Sequence, residues 1–338
     1  MASSTDNKLM KRLFLRVLYL SLPISIILLS YFYLDPFKVL YQYRDYSATQ
    51  VAILNRDYVS TQTYLNNVEK LQYNSFIFGN SRTLAFRVRD WVGYIGPSSA
   101  FHYDASNETI YGIWQKLLFL KRNKSKIDNA LIICDHTLLR EVGNSEGHLF
   151  RKDPRLTGES ALAFQTLFVK AYLSNLFFYQ YSKRLITGLT TPEMAEMLEG
   201  RQVLFDRVTN DYLLPDIDKE IMQDSIGFYN RNTSLQVPTK SSIANAVIGP
   251  AQQQQLTSIA NIFAEEKTNF QIVISPLFGQ VQLNPIDVAI LQKIFGADKV
   301  HDFSGKNSIT TNPGNYYEQS HYRPFVGRQI LNQIYSGR

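Results

Sequence analysis

The predicted fold depends most on one segment, Tyr73-Asn74-Ser75-Phe76-Ile77-Phe78-Gly79-Asn80-Ser81-Arg82-Thr83. Its apolar, aromatic centre predicts a short buried strand, and Gly79-Asn80-Ser81 ends that strand with a turn. Residues 82–91 predict the start of a helix. A strand that turns tightly into a helix places the turn at the carboxyl end of a parallel sheet, where open α/β folds carry their sites. Taken alone, the same residues fit a plain polar turn equally well.

The segments that follow predict a mixed α/β domain with a parallel sheet. Strands are predicted at residues 75–79, 100–104, 129–134, 269–276 and 299–303. Helices are predicted at residues 108–120 (capped by Ser106 or Asn107), 251–267, 285–295 and 325–335. The alternation of strand and helix is typical of parallel strands joined by crossover helices.

Between the third and fourth strands the pattern changes. Residues 159–186 are strongly helical, with a stripe of Phe, Leu and Tyr side chains. Thr191-Pro192-Glu193 predicts the start of a second helix, and residues 216–225 predict another. We interpret residues 145–237, approximately, as a helical insertion that packs over the sheet. Core packing of the stripe is favoured over a role at a membrane surface.

The amino-terminal segment predicts a membrane anchor. A polar head, residues 1–12, carries Lys8, Lys11 and Arg12, and the apolar run at 13–34 has the length that a bilayer requires. Basic residues before the run predict a cytoplasmic N-terminus and a periplasmic or other extracytoplasmic main domain. A cleaved signal peptide is the alternative, but the run does not end in small residues.

The composition limits the remaining choices. The rest of the 338-residue chain divides into a connector at residues 35–72, with one or two short helices, and a folded domain at 73–338. The net charge of +6 is mild, and no basic block is interleaved with aromatic residues, which disfavours nucleic-acid binding. The single cysteine, Cys134, lies in a predicted strand and excludes both an intrachain disulfide and a cysteine metal site.

A second motif near the end of the chain gives the Gly79-Asn80-Ser81 turn a chemical meaning. A serine nucleophile needs a base, and the base needs a group that fixes its orientation. Glu318-Gln319-Ser320-His321 supplies both, since a carboxylate three residues before a histidine in a turn lies on the same side of the backbone. We therefore expect Ser81, His321 and Glu318 to converge, with Asp302 as a rival partner for His321.

This arrangement resembles the SGNH (GDSL-like) hydrolase superfamily over residues 73–335. That family carries its serine in a Gly-Asp-Ser or Gly-Asn-Ser turn and an Asp-x-x-His pair before the last helix; here the carboxylate is Glu318. The segment Phe78-Gly79-Asn80-Ser81-Arg82-Thr83 is similar to the membrane-anchored, envelope-facing branch. The resemblance implies a flavodoxin-like three-layer α/β fold and a serine esterase or O-acyltransferase without a cofactor. Its implied substrate is an acylated, in particular acetylated, cell-envelope polysaccharide or another acylated small molecule.

Two blocks of the family pattern differ in this chain. The second block usually offers a glycine N–H to the oxyanion, and here it reads Asp104-Ala105-Ser106-Asn107. The third usually supplies an asparagine, and here it reads Cys134-Asp135-His136-Thr137. The expected oxyanion or substrate-binding residues are Asn80, Arg82, Ser106, Asn107, Asp135 and His136. These departures motivate a second hypothesis, an inactive SGNH scaffold that binds or assembles envelope glycans. A metal site formed by His102, Asp104, Asp135 and His136 is a third, disfavoured one.

Overall fold

The computed structural model describes residues 2–47, 51–194, 197–238 and 240–336. The chain divides into two compact units. The anchor unit contains Met1–Tyr43, Gln50–Ile53 and Gln165–Gly200. The sheet unit contains Arg44–Thr49, Leu54–Phe164 and Arg201–Arg338.

A parallel sheet of five strands forms the centre of the sheet unit, which confirms the predicted mixed α/β class. The strands are β1 (Ser75–Gly79), β2 (Ala100–His102), β3 (Asn129–Cys134), β4 (Asn269–Ile274) and β5 (Val300–Asp302). They are ordered β2-β1-β3-β4-β5, and every neighbouring pair is parallel. The middle strands are almost continuously apolar because helices cover both faces of the sheet.

Alternate side chains of each strand contribute to two separate cores. The helices of the sheet unit are α2 (Arg56–Leu71), α3 (Val88–Ile95), α4 (Ile110–Arg122), α5 (His136–Arg140), α6 (Pro154–Thr157), α9 (Pro215–Gln223), α10 (Ser225–Arg231), α11 (Pro250–Glu266), α12 (Pro285–Phe295) and α13 (Pro324–Tyr335). On one face of the sheet, Phe76 and Phe78 of β1 pack with α2, α4, α11 and α12. On the other face, Ile77 packs with α3 and α13.

Several predicted boundaries in the sheet unit are corrected by the structure. The segment after β1 is a 3₁₀ turn, Ser81–Ala85, followed by α3, rather than one helix. The cap of α4 is Thr109, whose side chain accepts a hydrogen bond from the Gly112 N–H, and not Ser106 or Asn107. The predicted connector contains α2, whose side chains pack in the core beneath the sheet, so the folded unit begins before residue 73.

The predicted insertion at 145–237 is not one helical layer. Its helical stretch is broken at Ser174 into α7 (Ala161–Leu173) and α8 (Asn175–Thr187). Most of this pair belongs to the anchor unit, whereas the portion from Arg201 onward belongs to the sheet unit. The second helix predicted at Thr191-Pro192-Glu193 is only a 3₁₀ turn, Pro192–Met194, and residues 195 and 196 lie outside the described residues.

The anchor unit is built on α1 (Ala2–Leu34). Residues Leu9–Leu34 are long and apolar enough to span a membrane, and the most apolar 18-residue window within them has a mean hydropathy of 2.1. The predicted polar head is already helical from Ala2, so α1 starts earlier than the sequence pattern suggested. The end of α1 packs on the α7–α8 pair, with the Tyr31 and Tyr172 rings 5.3 Å apart between centroids.

Gly79, the last residue of β1, leads to the first testable prediction. Its φ of +145° is unfavourable for any other residue, and a Cβ there would lie 2.3 Å from the Ile133 carbonyl oxygen. We expect Gly79→Ala to lower the free energy of unfolding by about 3 kcal/mol, from backbone strain and steric overlap together. Urea titration of the full-length protein in detergent, followed by Trp fluorescence, measures this change.

Gly96→Ala is the matched control for that measurement. Gly96 also has a positive φ, +77°, but a Cβ there meets no atom within 4 Å. It therefore carries the backbone cost alone, about 1 kcal/mol. Equal losses in the two variants would contradict the close approach of β1 to β3 at Gly79.

Candidate active site

Ser81 is the first residue of the 3₁₀ turn that follows β1, and it is half-exposed. The turn is fixed by Asn80, whose side-chain oxygen accepts a hydrogen bond from the Arg82 N–H at 3.2 Å. The Thr83 hydroxyl donates to the Asn80 carbonyl at 2.8 Å and ties the turn from the other side. The Ser81 N–H has no acceptor within the described residues and remains able to bind a ligand atom.

Glu318 and His321 lie on a small β-hairpin rather than on a helical segment. Its strands are Tyr316–Glu318 and His321–Tyr322, which pair antiparallel with Glu318 opposite His321. The two side chains are thus cross-strand neighbours on one face. Glu318 and His321 therefore lie on the same side of the backbone, as predicted, and the hairpin is what places them there.

The structure brings Ser81, His321 and Glu318 together, as the sequence predicts. The Ser81 Oγ lies 2.8 Å from the His321 Nε2, within hydrogen-bond distance. The opposite ring nitrogen, His321 Nδ1, is hydrogen-bonded to a Glu318 carboxylate oxygen. In this geometry the hydroxyl donates to Nε2 while Nδ1–H donates to the carboxylate, which is the order of contacts that nucleophilic serine catalysis requires.

The electrostatics of the pair favour an ionised carboxylate. Burial raises the pKa of Glu318, but the hydrogen bond and charge of His321 outweigh it, with smaller contributions from the Ser320 N–H and Arg82. The net pKa of Glu318 therefore lies below its ordinary value. An ionised Glu318 stabilises the imidazolium that forms when His321 accepts a proton.

A second group of charges, formed by Arg82, Asp135 and Asn80, lies beneath the serine turn. One oxygen of Asp135 is 2.9 Å from the Arg82 guanidinium and accepts a hydrogen bond from the Asn80 amide at 2.7 Å. The other accepts hydrogen bonds from the N–H groups of Thr137 and Leu138 at the start of α5. Burial raises the pKa of Asp135, but Arg82 and these hydrogen bonds bring it below the ordinary value.

These contacts revise the expected roles of two residues, Asp135 and Asn80. The Asp135 carboxylate is buried and already occupied, and as an anion it has no proton to offer an oxyanion. The Asn80 side chain is likewise used within the turn. Arg82 is different, because its buried Nε has no hydrogen-bond partner within the described residues.

The loop after β2, which carries Ser106 and Asn107, is held against the serine turn. The Ala105 N–H donates to the Gly79 carbonyl at 3.2 Å, so the amides that follow it lie beside the end of β1. Two buried cations fix this loop: Arg56 pairs with the Asp104 carboxylate at 2.8 Å, and Lys116 donates to the Asp104 carbonyl at 2.9 Å. Ser106 is half-exposed and Asn107 is exposed.

Sequence reasoning missed the residues that support the hairpin. The Tyr229 hydroxyl donates to the Tyr316 carbonyl at 3.1 Å, and the Asn232 amide donates to the Tyr317 carbonyl at 2.9 Å. Gln319 in the hairpin turn donates to the Ser234 carbonyl at 2.7 Å. All three contacts join the hairpin to the region around α10, more than 80 residues earlier, and no local sequence pattern signals such pairing.

The structure separates the other polar candidates from this site. His102 contacts Asp211 at 3.1 Å, and Asp302 accepts hydrogen bonds from Ser304 rather than from His321. His136, half-exposed, is the first residue of α5. Within the described residues, no group of three or more His, Cys, Asp or Glu side chains is arranged to hold a metal ion.

No protein-family model matches the sequence, and no curated protein matches it. The site is therefore interpreted from its geometry.

Proposed function

We propose that this protein is a serine-dependent esterase or O-acyltransferase of the SGNH type. The observation that carries the proposal is the continuous contact from Ser81 Oγ to His321 Nε2, and from His321 Nδ1 to Glu318. Ser81 attacks the acyl carbonyl, and its proton passes to His321. The alcohol leaves with that proton, and a covalent acyl-serine remains. Water or an acceptor hydroxyl then attacks the acyl-serine and regenerates the enzyme.

The fold supports the same proposal. The strand order β2-β1-β3-β4-β5 is that of flavodoxin-like sheets, which bind ligands at the carboxyl ends of their strands. Ser81 follows β1 at that end, and the hairpin with His321 precedes the last helix, α13. These positions of the two motifs support the proposed SGNH type.

The oxyanion is proposed to bind to backbone amides and to Arg82. The Ser81 N–H and the amides of Ser106 and Asn107 are the neutral donors. Arg82 follows Ser81 directly in the 3₁₀ turn and supplies the positive charge, and its buried Nε has no hydrogen-bond partner within the described residues. A fixed guanidinium can replace a missing amide donor, because charged donors stabilise developing negative charge more strongly than neutral ones.

The substrate is proposed to be an acyl ester, such as an acetyl group, on a cell-envelope polysaccharide or another acylated small molecule. The proposed location is a single membrane crossing by α1 with its N-terminus in the cytoplasm. The basic residues Lys8, Lys11, Arg12 and Arg16 at that end support this orientation. The sheet unit is then extracytoplasmic, in contact with envelope polymers.

One observation favours a second candidate, an inactive scaffold that binds glycans. Asp135 stands where the SGNH pattern has an asparagine, and its carboxylate is committed to Arg82 and Asn80. A missing oxyanion donor lowers the rate of such reactions by about 10²- to 10³-fold. In this alternative the site keeps its geometry and binds a glycan but catalyses no reaction.

Ester turnover distinguishes the two candidates. The full-length protein in detergent is incubated with p-nitrophenyl acetate and with an acetylated polysaccharide, and the released acetate is measured. We expect release by the wild type and loss of that release in Ser81→Ala, which removes only the nucleophile. Equal rates for both proteins would contradict catalysis by Ser81.

A further inference from the structure

We propose that α8 lies in the outer interface of the membrane that α1 crosses, with one apolar face in contact with lipid. The partner is the bilayer itself. The proposal depends on α1 as the anchor and not on catalysis by Ser81. Under this proposal the anchor unit contacts the membrane in two ways: α1 crosses the bilayer, and α8 lies along its surface.

The two sides of α8 differ in burial. Phe177 and Tyr181 lie on the inner side, and the Phe177 ring is 4.8 Å from the Phe37 ring. Leu176, Tyr179 and Ile186 lie on the opposite side, where their exposed fractions are 56, 62 and 85%. These three residues follow helical spacing and form one apolar face. Water is an unfavourable environment for a face of this kind, whereas the acyl boundary of a membrane is a favourable one.

The length of the helices favours an interfacial position over a second crossing. α7 and α8 have 13 residues each, which corresponds to about 20 Å of helix, short of the roughly 30 Å hydrocarbon core. Taken together, the two helices are long and apolar enough to span a membrane, but they are bent by 67° at the break and do not form one straight crossing helix. The Ser174 hydroxyl caps the second helix by accepting from the Phe177 N–H, so the break is a true helix end.

The charge of this segment suits a lipid surface. Residues 160–192 contain no Asp or Glu but include Lys170, Lys183 and Arg184. Lys183 lies on the same side of α8 as the exposed apolar residues, where its chain can extend toward headgroups. Anionic headgroups attract such cations, and Tyr179 is of a type enriched at membrane interfaces.

Continuity with α1 identifies the bilayer as the occupant of this face. The end of α1 packs directly on the pair, through the Tyr31–Tyr172 ring contact and a 2.8 Å hydrogen bond between Ser30 and the Tyr172 hydroxyl. The last turn of the proposed crossing and the α7–α8 pair are therefore held together. A membrane that surrounds the C-terminal end of α1 therefore also contacts α7 and α8.

Lipid quenching of a label on α8 tests the proposal. Full-length Ile186→Cys carries an environment-sensitive fluorophore in bilayers of phosphatidylethanolamine and phosphatidylglycerol that contain brominated acyl chains. We expect an approximately twofold loss of emission with bromine near the carbonyl end of the chains, and less with bromine near their methyl end, as a shallow position requires. Cys134 is buried, and the unmodified chain, treated identically, controls for its labelling.

Ile286→Cys on α12 is the matched comparison, since Ile286 is a helical isoleucine with 62% exposure in the sheet unit. Equal quenching at both positions would overturn the proposal, because lipid contact would not be particular to α8. Protection of the Ile186 label from both lipid and aqueous quenchers would also overturn it, since a second protein copy would then cover the face. Strongest quenching by bromine near the methyl end would indicate a crossing helix instead. Recovery of the protein with the bilayers tests the α1 anchor separately.

Discussion

His321→Ala is expected to lower kcat/KM for p-nitrophenyl acetate by on the order of 10⁴-fold. His321 is the only group in contact with the Ser81 hydroxyl that can take its proton, among the residues that the structure describes. Without it, Ser81 attacks as a neutral hydroxyl, a weak nucleophile. The measurement is steady-state hydrolysis by the full-length protein in detergent.

His301→Ala provides the matched control for His321. His301 lies on β5 and is hydrogen-bonded to Gln271 at 2.6 Å. We expect its kcat/KM to stay within about twofold of the wild type, since surface and rim substitutions rarely perturb a distant site. A His321→Ala protein that is folded and retains wild-type kcat/KM would contradict the role of His321 as base.

Asp135→Asn is expected to lower the free energy of unfolding by about 3 kcal/mol at pH 7, because it removes the buried carboxylate that pairs with Arg82. The guanidinium would then lie in a poorly hydrated site without its anion. Glu141→Gln is the control, since its pair with Arg140 is exposed and contributes less than about 1 kcal/mol. Urea titration followed by Trp fluorescence measures both. A change at Asp135 no larger than that at Glu141 would contradict the buried pair.

The same variant has a predicted pH dependence. The pKa of Asp135 is lower in the folded state than its ordinary value of 3.8, so its ionised form favours folding. That stabilisation is fully present above the unfolded pKa and is lost as the pH falls through the folded pKa. The difference between wild type and Asp135→Asn should therefore be constant at neutral pH and shrink below about pH 4. A difference that grows on acidification would contradict the sign of the shift.

Sequence patterns predicted the helices and strands whose bounds are determined by neighbouring residues in the chain. β3 was predicted at its observed bounds because its apolar run is continuous and ends at Asp135. α12 was predicted with its cap, since Asn284-Pro285 is a strong helix start. The break at Ser174 was missed because apolar residues continue on both sides of it. The division of the insertion between two units depends on long-range packing, which periodicity does not encode.

The residues of the candidate site also divide into those that a local motif indicates and those that only long-range packing brings together. Ser81, His321 and Glu318 were identifiable because each motif is short and combines residue types that the chemistry needs. The pairing of Arg82 with Asp135 was not, because it depends on the relative register of β1 and β3. Tyr229 and Asn232, which support the hairpin, carry no motif and are recognised only once the chain is folded.

Covalent labelling with a fluorophosphonate is the most direct test of the central claim, that Ser81 is an activated nucleophile. The full-length wild-type protein in detergent is treated with the probe, and intact mass and peptide mapping locate the adduct. We expect one adduct per chain, on the peptide that contains Ser81, and none in Ser81→Ala. A folded wild type that gains no adduct, or an adduct that persists in Ser81→Ala, would contradict the claim.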